Sequence, residues 1–562
     1  MSVLVADRLE RPSSALSRSD WRNLLLIVAG WLLCVLVFPP NHDFATTDDW
    51  ECYQLVAGVL NGRGFQPPDY LGSTSIVHIA WGAMFANLFG LNYTSLTWAI
   101  LVAALVGLLA FYLLLHELSF RPGLSVLGVA FLAFHPLYFS LAYSYMTDST
   151  FLACLLLALL FYTKGLAALP SAAGNQLLAH IGSATSRAGD TNLLLGSLFA
   201  SLAFLTRQFG LAVPIAAVLW LLWARRLTLR RLVATGLLPV IVGLGYFWWQ
   251  SGFGRTVISQ YQAAGVSSLL HDPLGSFLLR NATWLAYLPV VALVLPLLRP
   301  LPRHQLLLFG CWLMLTGLAS YTLLTTDVRE NSFVLVNARP SSDVTNTMRW
   351  LGVPLAAWLL TGYSVGLISW LRSLRRPPAA RDFVYLFGLV MLVGTWLAST
   401  VTLPRYLLPL IPVLIVIGLR PFASTEVGRT TTRPAVVALW LVAALVATLV
   451  LLIHVDDYNY NNTRWQVGQH LLAQGVPAQQ LDNGFAWSGF YLYQEARHKF
   501  GFIDYAPVGY WPPAMLLDPS YVVAPQEKTG YTGRYTVVAR HPYFSPLSGF
   551  RDNTLLVLRR QE

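Results

Sequence analysis

The sequence predicts an all-helical polytopic membrane domain followed by a small soluble α/β domain. Of its 562 residues 56% are hydrophobic and 11% are charged, whereas soluble domains carry about 25% charged residues. Apolar runs long enough to cross a hydrocarbon core, which takes roughly 17–25 helical residues, recur from Leu24 to Val455. Beyond this point the hydropathy falls, and turn-forming glycine and proline residues recur. Most of the chain is therefore expected to lie in lipid, and its last part is expected to lie in water.

The apolar runs predict thirteen transmembrane helices. The first is not a cleaved signal peptide, because no small-residue cleavage site follows it and Phe38-Pro39-Pro40 leads into a polar loop. The thirteen helices are placed at 23–39, 95–117, 123–143, 148–165, 191–206, 209–224, 232–250, 282–298, 305–324, 349–371, 383–402, 406–420 and 434–454.

The basic residues orient these helices. With residues 1–22 in the cytoplasm, twenty lysines and arginines fall in or beside the cytoplasmic segments, and eight fall in the outer loops. The runs at 225–231 and 372–381 abut helix ends, where the positive-inside bias is strongest. The formal charge of +11 therefore indicates topology, and no broad basic surface for nucleic acid is expected. The membrane domain is expected at 23–455, with the non-cytoplasmic α/β domain at 456–562.

Two segments outside the predicted helices are large. In the first outer loop, 41–93, the run Ile76–Phe89 is apolar but too short to span, so it is expected to lie along the interface as an amphipathic helix. The tail, 456–562, is long enough for an independent core. Its predicted elements are a helix at Trp465–Ala473 and strands at Tyr521–Ala524, Tyr535–Ala539 and Thr554–Leu558.

The densest group of acids follows the first helix. Asp48, Asp49 and Glu51 fall within four residues of one another beside the membrane. Carboxylates this close repel one another and raise each other's pKa, which suits a general base or a cation site. The alternative is a solvated acidic loop. Acids are scarce in this chain, however, and apolar residues from Leu55 to Leu60 flank the group as if a helix buried it.

A fourth acid, Asp148, begins the predicted helix 148–165. A carboxylate there accepts free N–H groups and meets the positive end of the helix dipole, so capping alone can explain it. The functional alternative is that Asp148 faces the same outer cavity as Asp48 and Asp49.

Two arginines are expected at the same outer level. Arg207 interrupts the apolar stretch Leu193–Trp223, and Arg405 directly precedes the predicted helix 406–420. Ionisable residues at membrane depth are costly and are commonly functional, although arginine also extends to lipid phosphates. Because a guanidinium pairs two oxygens at once, this pair suits a phosphate-bearing ligand.

Taken together, these motifs resemble a known family, the GT-C integral-membrane glycosyltransferases. The resemblance is strongest to the branch that holds protein O-mannosyltransferases and bacterial aminoarabinose transferases, and it covers most of residues 20–420. The motifs that carry it are Asp49 with Tyr53 four residues later, Leu60-Asn61-Gly62-Arg63-Gly64-Phe65, Gly72-Ser73-Thr74-Ser75, Leu88-Phe89-Gly90, Met146-Thr147-Asp148-Ser149, Leu205-Thr206-Arg207 and Pro404-Arg405-Tyr406-Leu407-Leu408-Pro409.

The resemblance implies transfer of a sugar from a polyprenyl-phosphate donor to a lipid, glycan or protein acceptor, at the non-cytoplasmic face of a bacterial inner membrane. It implies a base in the first outer loop, with Asp49 the first choice because of its spacing to Tyr53, and Asp48 the second. It also implies an acid near the acceptor or the active-site entrance, for which the candidates are Asp148 and Glu51. The arginines expected at the donor phosphate are Arg207 and Arg405. His78 and Tyr53 complete the candidate set.

Two points about the ligands stay open. Many members of the family that the chain resembles carry a lysine-proline-proline stretch before the interfacial helix, where this chain has Ser73-Thr74-Ser75. Any contact of that lysine with the donor phosphate is therefore expected to be missing or replaced. No cofactor is required, but a divalent metal held by Asp48, Asp49 and Asp148 is compatible with the preference of hard cations for oxygen ligands.

The main rival interpretation is a transporter or flippase of a lipid-linked or anionic solute. Such a protein needs ionisable residues near mid-membrane, often in broken helices related by a repeat. Here the polar candidates lie at one face and no internal repeat is evident, which favours an enzyme. A membrane scaffold with a partner-binding tail would leave the acids and arginines unexplained. The identity of the sugar and of the acceptor does not follow from any residue.

Overall fold

A computed structural model of the chain describes residues 16–66, 72–169, 179–253, 306–315, 376–397, 404–423, 433–500, 512–525 and 534–561, with scattered residues between 317 and 374. Within these ranges, six helices are long and apolar enough to cross a membrane, or seven if one bent pair counts as a single span. By helix length and composition the protein is a multi-pass membrane protein.

The described helices overlap the predicted spans, but the helix predicted at 191–206 begins at Ala179, and the predicted helix 406–420 begins as a 3-10 helix, Pro404–Leu410. The described helices are α1 (Arg18–Val37), α2 (Asp49–Leu60), α3 (Ile76–Phe89), α4 (Tyr93–Glu117), α5 (Pro122–Ala133), α6 (Pro136–Ala142), α7 (Thr147–Ala167), α8 (Ala179–Phe204), α9 (Ala212–Trp223), α10 (Leu229–Ser251), α11 (Leu306–Leu315), α12 (Ala380–Leu397), α13 (Ile411–Ala423), α14 (Arg433–Ala473), α15 (Phe485–Phe500) and α16 (Pro512–Met515). The predicted helix 282–298 lies outside the described residues, as does most of 349–371. The total of thirteen therefore stays a prediction.

The predicted helix 123–143 is two helices, α5 and α6, which meet at an angle of 67°. The break falls at Pro136, which has no N–H to donate and whose ring crowds the preceding turn. The imidazole of His135 accepts a hydrogen bond from the backbone N–H of Leu137 at 3.2 Å and so begins the second helix.

The first outer loop contains two helices. The predicted helix Ile76–Phe89 is confirmed as α3, and α2 begins at Asp49, within the acidic group. Cys52 and Val56 of α2 pack with Ile79 of α3 in one buried cluster. This packing fixes the start of α2, and the acids there, against the helix bundle.

The tail begins within a membrane helix. α14 runs through 41 residues, so the predicted helices 434–454 and Trp465–Ala473 are parts of one helix, and the expected boundary between 455 and 456 lies inside it. The helix continues through the polar residue Asp456, whose carboxylate accepts hydrogen bonds from the Ser545 hydroxyl and the Leu547 N–H of the tail.

The tail contains a four-stranded sheet. Its strands are β1 (Leu481–Asp482), β2 (Tyr521–Pro525), β3 (Tyr535–Ser545) and β4 (Arg551–Arg560), in the spatial order β1-β2-β4-β3. β1 pairs parallel with β2, and the other pairs are antiparallel. The three predicted strands are confirmed, and β3 and β4 are longer than predicted.

The tail and the first outer loop share one buried cluster. Trp465, Trp487 and Val523 of the tail pack with Phe44 and Trp50 of the loop. The ring of Phe44 stacks on Trp465 at a centroid distance of 6.0 Å. The segment that carries the acids is therefore held from both sides, by α3 and by the tail.

Candidate active site

Two buried ion pairs join the acids and arginines that the sequence singled out. Nη2 of Arg405 lies 2.8 Å from Oδ2 of Asp48, and Nη2 of Arg207 lies 3.0 Å from Oδ2 of Asp148. All four side chains are at most 8% exposed. Charges buried this deeply are tolerated because each has an opposite charge at hydrogen-bond distance.

The two ion pairs meet at one aromatic ring. The guanidinium carbon of Arg207 lies 5.6 Å from the ring centroid of Tyr406, and that of Arg405 lies 5.9 Å from the same centroid. A cation within about 6 Å of an aromatic centroid is attracted by the ring quadrupole. Tyr406, which was not among the predicted site residues, therefore holds two cations in one place.

The turn that carries Arg207 is fixed by backbone contacts. Arg207 lies between the end of α8 and the short 3-10 turn Gln208–Leu211. The N–H of Gly210 donates to the carbonyl of Arg207 at 2.9 Å, and the N–H of Ser75 donates to the carbonyl of Thr206 at 3.1 Å. A rigid turn presents the guanidinium at a defined position.

The Ser73-Thr74-Ser75 segment supports this turn. Besides the Ser75 N–H, the Thr74 hydroxyl donates to the carbonyl of Phe204. Ser73 and Ser75 hydrogen-bond each other through their hydroxyls at 2.6 Å. Their polar groups thus bind the Arg207 turn and one another.

Asp49 and Asp48 have different surroundings, although they are adjacent. The Asp49 carboxylate is fully buried and accepts three hydrogen bonds: from the Thr46 N–H at 3.0 Å, the Thr47 N–H at 3.0 Å and the Thr46 hydroxyl at 2.9 Å. Burial outweighs these bonds and raises the pKa of Asp49 to about 6. Oδ1 of Asp48, by contrast, is buried without a hydrogen-bond partner.

The remaining candidates are His78, Glu51 and Tyr53, whose contacts differ from those of the ion pairs. The buried His78 is 3.2 Å from the Thr150 hydroxyl through Nδ1 and stacks on Tyr145, and burial lowers its pKa to about 3. Glu51 is buried in the first turn of α2. The hydroxyl of Tyr53 donates to the carbonyl of Leu91 at 3.4 Å.

Within the described part of the chain, no group of three or more His, Cys, Asp or Glu side chains is arranged to hold a metal ion. The metal set considered for Asp48, Asp49 and Asp148 is therefore not formed. The reason is local: two of these carboxylates bind arginines, and the third binds the Thr46-Thr47 segment.

A cleft opens beside the Asp48–Arg405 pair. It encloses about 860 Å³, its open mouth included. Polar and aromatic side chains from the first outer loop, from α6 and from α14 face each other across it. The lining residues are Pro39, Pro40, His42, Phe44, Thr46, Thr47, Ser140, Leu141, Tyr143, Ser144, Arg405, His454, Asp457, Tyr458 and Asn461.

An apolar groove adjoins the Arg207 turn. It encloses about 710 Å³, its open side included, and it lies between the end of α8, the start of α3 and α10. The lining residues are Phe65, Ile76, Leu205, Val242, Gly245, Tyr246 and Trp249. One of them, Leu205, is two residues from Arg207.

Comparisons with known proteins find similarity in structure. No family model matches the chain, and no curated protein sequence matches it significantly. ArnT from Cupriavidus metallidurans, in a crystal structure bound to undecaprenyl phosphate, is 13% identical with a TM-score of 0.48, over 96% of this chain and 98% of that one.

A second similar structure is the archaeal oligosaccharyltransferase AglB from Archaeoglobus fulgidus, in complex with an inhibitory peptide and a dolichol-phosphate. It is 13% identical with a TM-score of 0.46, over 87% of this chain and 61% of that one. ArnT and the AglB oligosaccharyltransferase are therefore among the chain's structural neighbours.

Proposed function

We propose that the protein is a membrane glycosyltransferase that moves a sugar from a polyprenyl-phosphate donor to an acceptor hydroxyl or phosphate. The observation that carries this proposal is the pair of arginines held by Tyr406, with Arg405 at a polar cleft and Arg207 beside an apolar groove. A ligand with an anionic head and an apolar chain matches this arrangement.

The arginines are proposed to bind the donor phosphate. A guanidinium pairs two phosphate oxygens at once, and in a poorly hydrated site it stabilises the negative charge that grows on a leaving phosphate. The apolar groove next to Leu205 is proposed to take the first isoprene units. The cleft on the side of Arg405 would then hold the sugar and the acceptor.

Asp48 is proposed as the general base. The family resemblance favoured Asp49, but the carboxylate of Asp49 accepts three hydrogen bonds from Thr46 and Thr47. Asp48 has a free oxygen and contacts Arg405, which lines the cleft. Asp49 is therefore proposed to hold the start of α2 in place.

The proposed reaction is a single displacement. Asp48 takes the proton of the acceptor hydroxyl as its oxygen forms a bond to the anomeric carbon. The bond from that carbon to the phosphate oxygen breaks, and the polyprenyl phosphate leaves with the electron pair. Attack opposite the leaving group predicts inversion at the anomeric carbon. Asp148 is proposed to hold Arg207 in position through their ion pair.

The proposed location is a bacterial inner membrane, with residues 1–22 in the cytoplasm and the site at the opposite face. Thirteen transmembrane helices over 23–455 and a non-cytoplasmic tail over 456–562 remain part of this proposal. The distribution of basic residues supports it, because the polybasic runs all fall on one side under this topology.

The test is a transfer assay with the purified protein in nanodiscs and labelled polyprenyl-phosphate sugars, with extracts of envelope lipids, glycans and proteins as acceptors. We expect release of polyprenyl phosphate coupled to labelling of one acceptor class. Asp48→Asn is expected to lower turnover by about 10²-fold or more, while Asp518→Asn, an exposed acid of the tail, is the matched control. A protein that moves the donor across vesicles without cleaving it would be a transporter, against the proposal.

A further inference from the structure

The two arginines of the site are paired to different degrees. Nε and Nη2 form one edge of a guanidinium and can bind two oxygens together. In Arg207 this edge is fully used, because Nε donates to the Thr147 hydroxyl at 2.8 Å and Nη2 to Asp148 at 3.0 Å. In Arg405 only Nη2 is used, by Asp48, and the buried Nε has no hydrogen-bond partner.

The Arg405 pair is incomplete on both sides. Oδ1 of Asp48 also lacks a hydrogen-bond partner, so each member of this pair has one buried polar atom unsatisfied. A buried donor or acceptor without a partner is costly, and a ligand that satisfies it gains from doing so. A phosphate group has the oxygens to occupy both Nε and Nη2 of Arg405.

From this contrast, and resting on the function proposed above, we infer that Asp48 competes with the donor phosphate for Arg405 and is released as the base when the donor binds. Arg207 keeps its partners Asp148 and Thr147 throughout and meets the phosphate with its remaining N–H groups. The exchange takes place on one guanidinium edge, where the phosphate replaces a single carboxylate oxygen. The proposed base and the donor site are thus coupled through one side chain.

The exchange has a direct consequence for catalysis. In the ion pair, Oδ2 of Asp48 is occupied by Arg405. Transfer of Arg405 to the phosphate frees this oxygen to take the proton of the acceptor hydroxyl. Acceptor activation therefore follows donor binding, which predicts an ordered mechanism with the donor first.

The test measures binding of undecaprenyl phosphate, without a sugar, to the full-length protein in nanodiscs. If Asp48 competes for Arg405, Asp48→Asn binds this lipid more tightly than the parent, by about tenfold, within the usual range of coupling between sites. The matched control is Asp148→Asn, which removes an equal charge from the fully paired arginine and is expected to weaken binding, because Asp148 holds Arg207 in position.

The outcomes separate the two proposals. Binding by the parent, with no gain in Asp48→Asn, overturns the exchange and leaves the glycosyltransferase proposal intact. Equal gains in both variants mean that general charge repulsion acts, which also overturns the exchange. Failure of the parent to bind undecaprenyl phosphate contradicts the proposed function itself. If Asp48→Asn does not fold, judged by its thermal midpoint, Asp48→Ser carries the same test.

Discussion

Gly489 of α15 lies directly against the indole ring of Trp50 in α2. A Cβ atom at position 489 would be 2.6 Å from Cε2 of that ring and closer still to Nε1. The ring of Tyr493, one turn further along α15, lies 4.6 Å from the Trp50 ring between centroids. A helix of the tail therefore contacts the helix that begins beside the proposed base.

The first prediction concerns this contact. In Gly489→Ala the added methyl group must push α2 and α15 apart, and overpacking of this kind costs about 1–3 kcal/mol. Because Asp48 directly precedes α2, we expect a lower thermal midpoint together with a fall in sugar transfer.

Gly30→Ala provides the matched control, since a Cβ there meets nothing within 4 Å and alanine favours a helix. A second substitution, Trp50→Phe, makes the ring smaller and is expected to restore part of the loss. Full activity in Gly489→Ala alone would mean that the tail does not position α2.

The second prediction concerns Gly210, in the turn after Arg207. A Cβ at this position would lie 2.6 Å from the carbonyl carbon of Ala203 and closer still to the backbone nitrogen of Phe204. These are backbone atoms and cannot rotate away, so Gly210→Ala must displace the turn. We expect weaker undecaprenyl phosphate binding and a lower thermal midpoint, both measured against Gly236→Ala, where a Cβ meets nothing within 4 Å. Unchanged binding would mean that Arg207 does not bind the phosphate.

Local patterns predicted the helices well, because helix length and apolar content are properties of short segments. The bounds of Ile76–Phe89 agree with the structure. The break at Pro136 was missed because apolar residues continue on both sides of it. The helix end expected near residue 455 was wrong for a different reason: Asp456 finds its partner in Ser545, 89 residues away, and no local pattern contains that contact.

The candidate residues were named from the sequence, but their pairing was not. Asp48 and Arg405 are 357 positions apart, and nothing in either segment identifies the other as its partner. The choice between Asp48 and Asp49 also depends on side-chain direction, which adjacent positions cannot reveal. The adjacency of Arg405 and Tyr406 was a usable signal, because a ring next to a buried cation often supports it.

The third prediction concerns pH. Because burial raises the pKa of Asp49 to about 6, the folded protein holds a proton there that the unfolded chain releases near pH 4. The free energy of unfolding therefore falls as pH rises from about 4 to about 6, by up to about 3 kcal/mol. Asn cannot ionise, so the thermal midpoint of Asp49→Asn relative to the parent is expected to increase over this range. A difference independent of pH would mean that Asp49 is already charged at pH 4.

The fourth prediction concerns Tyr406. Tyr406→Leu removes the ring from both guanidiniums, and we expect undecaprenyl phosphate to bind roughly tenfold more weakly, on the order of the contribution of two such contacts. Tyr406→Phe keeps the ring and is expected to keep most of the affinity. If both variants lose the same affinity for undecaprenyl phosphate, the hydroxyl of Tyr406 and not its ring supports binding.

α14 joins the lipid and the tail without a break. Its 41 residues make a rod about 60 Å long, twice the roughly 30 Å of a hydrocarbon core. Under the proposed topology, the part beyond the lipid carries Asp457, Tyr458 and Asn461, which form one wall of the cleft. A helix tilts when the bilayer becomes thinner. Because α14 is continuous, its end in the tail tilts together with its membrane part. The width of the cleft should therefore follow bilayer thickness, so that the lipid itself helps set the rate of transfer.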